Sequence, residues 1–285
     1  MATRTRVYPS RLPAEFTLGQ DEFIDGYLDA KPGEHISLIG PNGGGKTTLG
    51  MKIMGQLHRL YPQTTGVALV MKPHKGPRGA GRGVTGDPTV ARLARALKAP
   101  ITREWPLSVG QKTLHGKEET PFWVLWPRHS DDFRLDRVRH AALFESALLD
   151  SYNKGRRWIF ADEVFGLTNE LRLQSVLEHI WSKGRSMETA IVGATQRPAG
   201  VSRFMYSSAR HLFLWRDPDA DARKRYAEIS GMDPKALVAL TDGLRRHECL
   251  YVHPESQTLA CLTPGGFLAD PRPDNSTREG ARPST

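Results

Sequence analysis

The sequence is poor in cysteine and has no long apolar run, and both absences restrict what the protein can be. Its 285 residues include only two cysteines, Cys249 and Cys261, which are too few for a disulfide framework or a cysteine-rich metal centre. No stretch approaches the roughly 20 apolar residues of a transmembrane helix, and the polar start of the chain lacks the apolar core of a secretory signal. These absences predict free thiols and a soluble protein in a reducing, intracellular setting.

Acidic residues are outnumbered by basic ones, with 31 Asp and Glu against 40 Lys and Arg and a formal net charge of +9. The isoelectric point is about 9.7, and this excess of positive charge favours a polyanionic partner without identifying one. Hydrophobic residues make up 39% of the chain, which is ordinary for a globular protein with a sizeable core. The length allows one large α/β domain or two small ones.

A glycine-rich loop fits the phosphate-loop pattern G-x-x-x-x-G-K-[ST] at every specified position. An apolar strand at 35–39 precedes it, and residues 49–57 follow with apolar side chains at helical spacing. In this context glycines let backbone N–H groups turn toward phosphate oxygens. Lys46 would contact the β- and γ-phosphates of ATP, and the hydroxyl of Thr47 would hold Mg²⁺. The predicted nucleotide-binding residues are Gly40, Pro41, Asn42, Gly43, Gly44, Gly45, Lys46, Thr47 and Thr48.

Two adjacent carboxylates follow a second apolar strand, in the pattern known as Walker B. The strand is predicted over residues 156–161, and Asp162 and Glu163 come directly after it. The carboxyl end of a parallel strand lies where α/β sheets bind ligands. Asp162 is therefore the predicted second residue of the magnesium site, and Glu163 is predicted to orient or deprotonate the attacking water.

A third strand, predicted over residues 189–194, leads into a Thr-Gln-Arg-Pro sequence at 195–198. A polar side chain here would face the γ-phosphate from the side opposite the Walker B carboxylates. Gln196 could therefore sense the state of the nucleotide, and an amide that only caps the strand is the alternative.

Strands alternate with helices along the chain, which predicts an α/β, P-loop NTPase fold with a mostly parallel central sheet flanked by helices. Residues 248–252 and 258–262 flank a polar turn and predict a C-terminal β-hairpin. A register centred on Glu255 would place Cys249 opposite Cys261.

The predicted organisation is a flexible basic arm over 1–15, one ATPase domain over 16–263 and a disordered tail over 264–285. The lead-in at 16–30 either packs near the adenine or is a surface segment. A glycine-rich stretch at 72–83 carries five basic residues and no acid, which favours either a loop that contacts phosphate backbone or a disordered insertion.

The order of these motifs resembles the FtsK/HerA superfamily of DNA-pumping ATPases. The resemblance rests on the Ala-Thr-Gln-Arg-Pro run at 194–198, the Lys-Gly-Arg sequence at 183–185 and the Phe-Glu-Ser-Ala-Leu run at 144–148, and it spans roughly residues 16–262. It implies an ATP hydrolase that forms a ring, commonly a hexamer. ATP would lie at the subunit interfaces, and double-stranded DNA would pass through the central channel.

The same resemblance implies roles for individual polar residues. Gln196 would be the sensor, and Arg185 stands where relatives place an arginine that reaches the neighbour's γ-phosphate. An arginine that serves its own subunit's ATP, or one that only ends a helix, are the alternatives. Arg210 is a weaker candidate for a similar role.

Without the anchor or DNA-reading domain of larger members, the chain resembles motors of viral genome packaging or mobile-element transfer. A location in the bacterial or infected-cell cytoplasm, or in the virion, is expected.

Two other classes of protein fit part of the pattern. An ABC-type ATPase shares the phosphate loop but needs an L-S-G-G-Q-like signature shortly before Walker B, and residues 147–157 contain none. A nucleotide-gated regulator or scaffold would need the phosphate loop but not Glu163. The presence of Asp162, Glu163 and Gln196 together favours an enzyme.

Overall fold

The computed structural model describes residues 9–72, 88–106, 122–226, 229 and 232–264. Most of the basic stretch 72–83, the first eight residues of the predicted arm and the predicted tail from residue 265 lie outside the described residues.

The described residues form a ten-stranded sheet in the order β1-β10-β9-β8-β2-β7-β6-β3-β5-β4. Strand β9 runs antiparallel to both of its neighbours, and every other neighbouring pair is parallel. The predicted fold class, with its mostly parallel sheet and C-terminal hairpin, is confirmed. The strands are β1 (Thr17–Gly19), β2 (His35–Ile39), β3 (Thr65–Leu69), β4 (Ile101–Thr102), β5 (Phe122–Leu125), β6 (Arg157–Ala161), β7 (Ala190–Thr195), β8 (Ala209–Trp215), β9 (Cys249–His253) and β10 (Thr258–Thr263).

Helices connect the strands and cover both faces of the sheet. The described α-helices are α1 (Gln20–Gly26), α2 (Lys46–Leu60), α3 (Pro88–Ala96), α4 (Phe133–Lys154), α5 (Gln174–Lys183), α6 (Phe204–Ser207), α7 (Ala220–Tyr226) and α8 (Pro234–Asp242). Asp132 caps α4, because its carboxylate accepts hydrogen bonds from the backbone N–H groups of residues 134 and 135. A five-residue π-helical turn, Gly166–Glu170, follows the Walker B carboxylates.

The core has two layers, one on each face of the sheet. Along β6, Trp158 and Phe160 pack among α1, α2 and α3, whereas Ile159 and Ala161 pack among α4, α5 and the later helices. All four side chains are buried. A parallel strand covered on both faces must be apolar at consecutive positions, which is why β6 reads as an unbroken apolar run.

The lead-in at 16–30 contains an edge strand and a helix that the sequence pattern did not predict. Strand β1 pairs with β10, and α1 packs on α2 with Phe23 and Ile24 buried. Of the predicted arm, residues 9–15 contact the folded domain, where the guanidinium of Arg11 lies 3.0 Å from the carboxylate of Glu248.

The register predicted for the C-terminal hairpin is wrong by one residue. Cys249 pairs with Leu262, and Cys261 pairs with Leu250, because four residues, 254–257, separate the paired His253 and Thr258. A one-residue slip moves a side chain to the other face of a sheet. The two cysteines therefore lie in different core layers, and both are free thiols.

Candidate nucleotide-binding site

The phosphate loop lies at the carboxyl end of β2, between the end of that strand and the start of α2. Gly45 adopts φ 101°, a left-handed conformation that glycine accepts without strain, and α2 begins at the next residue. The N–H of Gly40 donates to the carbonyl of Thr195 at the end of β7, at 3.3 Å. The loop is thus fixed to the neighbouring strand β7. The amino end of α2 lies directly after the loop, as phosphate binding requires.

Lys46, the predicted phosphate-contacting lysine, is 6% exposed. Its ammonium donates to the carbonyl oxygen of Pro41, at 2.7 Å, within the loop itself. Burial lowers the pKa of Lys46 to about 8, although Glu163, Asp162 and Asp217 act to raise it. An anionic phosphate beside Lys46 would favour its charged form further.

Thr47 and Asp162 contact each other across the site. The Thr47 hydroxyl donates to Asp162 Oδ1 at 2.5 Å, although the two residues lie 115 positions apart in the sequence. Hydroxyl and carboxylate oxygens, completed by substrate phosphates and water, are the ligands that Mg²⁺ takes in such sites. This donor pair fits the predicted magnesium ion.

Glu163 is next to Asp162 and is partly buried. Its Oε1 accepts a hydrogen bond from the backbone N–H of Phe165 at 3.3 Å. Burial raises the pKa of Glu163, whereas the N–H of Phe165, the charge of Lys46 and the backbone of Gln196 lower it in part. A partly buried carboxylate with a raised pKa beside a phosphate-binding loop can accept a proton from water.

Gln196 follows the end of β7, the strand that lies between β2 and β6. The backbone of Gln196 lies against the carboxylate of Glu163. Gln196 as a whole is exposed. Arg197, the next residue, stacks its guanidinium over the ring of Phe165 at 5.1 Å. The segment after β7 therefore contacts the segment after β6 beside the phosphate loop.

Residues at and after the end of β8 support the loop from the other side, and the sequence pattern did not identify them. A Cβ at Gly40 would collide with Trp215, and one at Gly44 would lie 3.1 Å from its ring. The hydroxyl of buried Tyr226 donates to the carbonyl of Trp215 at 2.9 Å and to that of Ile39 at 3.3 Å. Asp217, 5% exposed, has a pKa that burial raises. Neither Trp215 nor Tyr226 belongs to a sequence motif, so no local signal in the sequence indicated this role.

His247 contacts the loop from the turn before β9. Its Nδ1 lies 3.4 Å from the carbonyl oxygen of Gly44, and its backbone has φ 65°. The Gln20 amide donates to the His247 carbonyl at 3.2 Å. Since the C=O and N–H of one peptide point in opposite directions, a hydrogen bond from His247 to the Gly44 oxygen directs the Gly45 N–H away from His247.

We expect His247→Gly to weaken ATP binding about threefold to tenfold while leaving the turnover at saturation nearly unchanged, since one neutral hydrogen bond is worth about 1 kcal/mol. Glycine accepts the left-handed backbone conformation and removes the imidazole with its donor. His247→Asn, which places an amide donor near Nδ1 and tolerates positive φ, should restore wild-type affinity. Equilibrium titration with ATP, alongside kcat and KM, measures both. Equal affinities for the three proteins would contradict this role.

The structure places Arg185 and Arg210 at the amino ends of β7 and β8, opposite the carboxyl ends where the phosphate loop lies. Arg185 is exposed in the turn between α5 and β7, and a Cβ at Gly33, just before β2, would lie 3.0 Å from its Cα. Gly33 and Gly40 lie on either side of β2 and are seven residue steps apart, which corresponds to about 20 Å, so Arg185 does not reach its own phosphate loop. Arg210 pairs with Glu34 at 3.4 Å and also with Glu255.

Within the described part of the chain, none of the helices combines the length and apolarity that a bilayer span requires.

Comparison with known proteins finds likeness in structure but not in sequence. No protein-family model matches the chain, and no curated protein matches it. Among solved structures, B204, the DNA-packaging ATPase from Sulfolobus turreted icosahedral virus, is 13% identical with a TM-score of 0.53, and the match covers 82% of this chain and 99% of B204. The genome packaging NTPase B204 from Sulfolobus turreted icosahedral virus 2, in complex with ATP-γ-S, is 13% identical over 82% and 99%, with a TM-score of 0.51.

VirB4 of Thermoanaerobacter pseudethanolicus is 11% identical with a TM-score of 0.51, and the match covers 82% of this chain and 90% of VirB4. The chain therefore has the fold of a P-loop NTPase, which it shares with B204 and VirB4. At the level of fold, the resemblance that the motif order predicted is confirmed.

Proposed function

We propose that the protein is an ATP-hydrolysing motor that moves double-stranded DNA, as in viral genome packaging or mobile-element transfer. The observation that carries the proposal is the contact between Thr47 and Asp162, with Glu163 beside it, at the carboxyl edge of a sheet that matches a DNA-packaging ATPase in fold. A loop that binds phosphate and a carboxylate that activates water together define an NTP hydrolase.

The chain's own residues account for the hydrolytic step. Lys46 leaves the Pro41 carbonyl and contacts the β- and γ-phosphates, and the loop N–H groups hold the phosphate oxygens. Glu163 accepts a proton from the attacking water, and Gln196 orients toward the γ-phosphate. A magnesium ion held by Thr47 and Asp162 would supply charge neutralisation for the phosphates. Positioning and electrostatic stabilisation supply most of the catalysis in phosphoryl transfer.

The proposed assembly is a homo-oligomeric ring, commonly a hexamer in the superfamily that the motifs resemble. A heterologous interface that closes by rotation generates such a ring. The position of Arg185, about 20 Å from its own phosphate loop, supports a role at the ATP of a neighbouring subunit. A cytoplasmic or virion-associated location belongs to the same proposal.

Exposed arginines at the amino end of α4 support contact with a nucleic-acid backbone. Arg134 and Arg137 lie one helical turn apart and are exposed, as are Arg128 and Arg139 nearby. Arg128 follows β5, so these residues lie at the carboxyl edge of the sheet, the edge that carries the phosphate loop. Guanidinium groups on a helix can contact successive phosphates without reading sequence.

DNA affinity should fall steeply with salt and be indifferent to sequence, because counterion release drives phosphate contacts. Replacing Arg134 and Arg137 together with glutamine should weaken duplex binding about tenfold and reduce the slope of log K against log salt by about two. The control is Arg92→Gln with Arg95→Gln, an exposed pair with the same spacing on α3. Fluorescence anisotropy at several salt concentrations measures all three. Salt-independent affinity, or strong preference for one short sequence, would contradict the prediction.

ATPase rate with and without double-stranded DNA, together with particle mass in the presence of ATP, tests the proposed function directly. A motor should hydrolyse ATP faster with duplex DNA and should form a particle several times the 31.8 kDa of one chain. Tight ATP binding without turnover would indicate a nucleotide-gated regulator instead. Turnover that DNA does not change would remove the DNA-moving part of the proposal.

A further inference from the structure

Lys72, a residue to which the motifs assign no role, contacts the carboxylate of the magnesium site. It follows β3, the strand that neighbours β6, and its ammonium lies 3.4 Å from Asp162 Oδ2. The other oxygen of this carboxylate, Oδ1, accepts the Thr47 hydroxyl. The side chain of Asp162 is only 8% exposed, so its two oxygens are shared between a hydroxyl and a cation.

The backbone of Lys72 is held by the side chain of Trp126, which Arg103 supports in turn. The indole N–H of Trp126, a fully buried residue after β5, donates to the Lys72 carbonyl at 2.6 Å. The guanidinium of Arg103 in turn donates to the Trp126 carbonyl at 2.6 Å and stacks over the indole at 4.5 Å. Lys72 differs from a solvated surface lysine, because its backbone is held in a position from which the ammonium contacts Asp162.

We propose that Lys72 is a positioning residue that competes with the magnesium ion for Asp162 and so sets the Mg²⁺ concentration at which the site takes up nucleotide. The proposal rests on the proposed nucleotide site. A cation 3.4 Å from a shielded carboxylate stabilises its charge, and an incoming dication must displace that cation or bind against its repulsion. Removing the ammonium therefore makes the carboxylate easier for Mg²⁺ to occupy.

Lys72→Met tests the proposal, because methionine keeps much of the side-chain length and removes the charge. The measurement is equilibrium binding of a fluorescent ATP analogue, titrated with Mg²⁺ at fixed nucleotide concentration. The half-saturating Mg²⁺ concentration should fall at least threefold in Lys72→Met. Lys72→Arg, which keeps a cation, should stay near the wild-type value.

A matched control comes from Lys52 on α2. It pairs with Asp21 at 2.6 Å, and its side chain is 34% exposed, against 36% for Lys72. Lys52→Met should leave the half-saturating Mg²⁺ concentration unchanged. Trp126→Phe, which removes the indole donor to the Lys72 carbonyl, should shift it in the same direction as Lys72→Met by a smaller factor.

An unchanged or raised half-saturating concentration in Lys72→Met, in a variant that still binds nucleotide, would overturn the role of Lys72 alone. Absence of nucleotide binding by the wild-type protein at every Mg²⁺ concentration would instead overturn the nucleotide site, and this proposal with it. Equal shifts in Lys72→Met and Lys52→Met would also overturn it, since they would indicate a general charge effect.

Discussion

Glu163→Gln should leave ATP bound and remove most of its hydrolysis. Glutamine has nearly the same size and keeps an oxygen that can accept the Phe165 N–H, but it cannot take a proton from water. General-base catalysis contributes about 10²- to 10⁴-fold in rate, so turnover should fall by about that factor. Single-turnover hydrolysis and equilibrium nucleotide binding separate the two effects, and wild-type turnover in Glu163→Gln would show that another group is the base.

Glu170, an exposed glutamate in the turn after Glu163, provides the control. Glu170→Gln makes the same chemical change close by and should turn over as the wild type does. The pH profile adds an independent check. A general base must be ionised, and burial raises the pKa of Glu163, so activity should decline on the acid side at a higher pH than an ordinary glutamate would give. That decline should be missing from the residual activity of Glu163→Gln.

The residues that the sequence identified belong to short contiguous segments with a strong local signal. The phosphate loop is one such segment, since its glycines, Lys46 and Thr47 are adjacent in the chain and follow an apolar strand. Asp162 and Glu163 are another. The contact between Thr47 and Asp162, which lie 115 positions apart, was predictable because parallel strands bring their carboxyl ends to the same side of the sheet.

The residues that the sequence did not identify reach the site through long-range packing. Trp215 and His247 contact the loop from β8 and from the turn before β9, and each resembles an ordinary core or turn residue in sequence. Lys72 begins a basic stretch that favoured either a loop on phosphate backbone or a disordered insertion, and neither alternative identified the contact between its ammonium and Asp162. No periodicity encodes which side chain of a neighbouring strand faces a given carboxylate.

The sequence pattern also predicted the end of the sheet formed by β1, β10 and β9 incompletely. Strand β1 has three residues, one of them glycine, and among the described strands it pairs with β10 alone. The hairpin register depended on the length of one turn, which the polar sequence at 254–257 does not fix. The predicted register put Cys249 and Cys261 on one face, whereas the observed register, one residue away, puts them on opposite faces, so the consequence for packing is large.

Arg185→Ala should be nearly inactive if Arg185 serves the ATP of a neighbouring subunit. An arginine finger contributes about a thousandfold or more in rate. The residue is exposed at the amino end of β7, whereas the phosphate loop lies at the carboxyl ends of the strands. This position argues against a role at its own ATP. A solvated arginine with no role predicts normal activity of Arg185→Ala. Lys183→Ala, an exposed neighbouring position at the end of α5, is the matched control and should be active.

Mixing two inactive variants distinguishes a role in trans from a role in cis. Arg185→Ala keeps Lys46, and Lys46→Ala keeps Arg185, so an equimolar mixed ring restores about one interface in four to an intact pair when each site draws on two subunits. Activity should then recover toward a quarter of the wild-type rate if sites fire independently. Formation of mixed rings is checked by co-purification of differently tagged subunits, because firing that must pass around the whole ring would mask the recovery. Mixed rings that form, hold ATP and show no recovery under single-turnover conditions would contradict the trans role, and full activity of Arg185→Ala alone would end it.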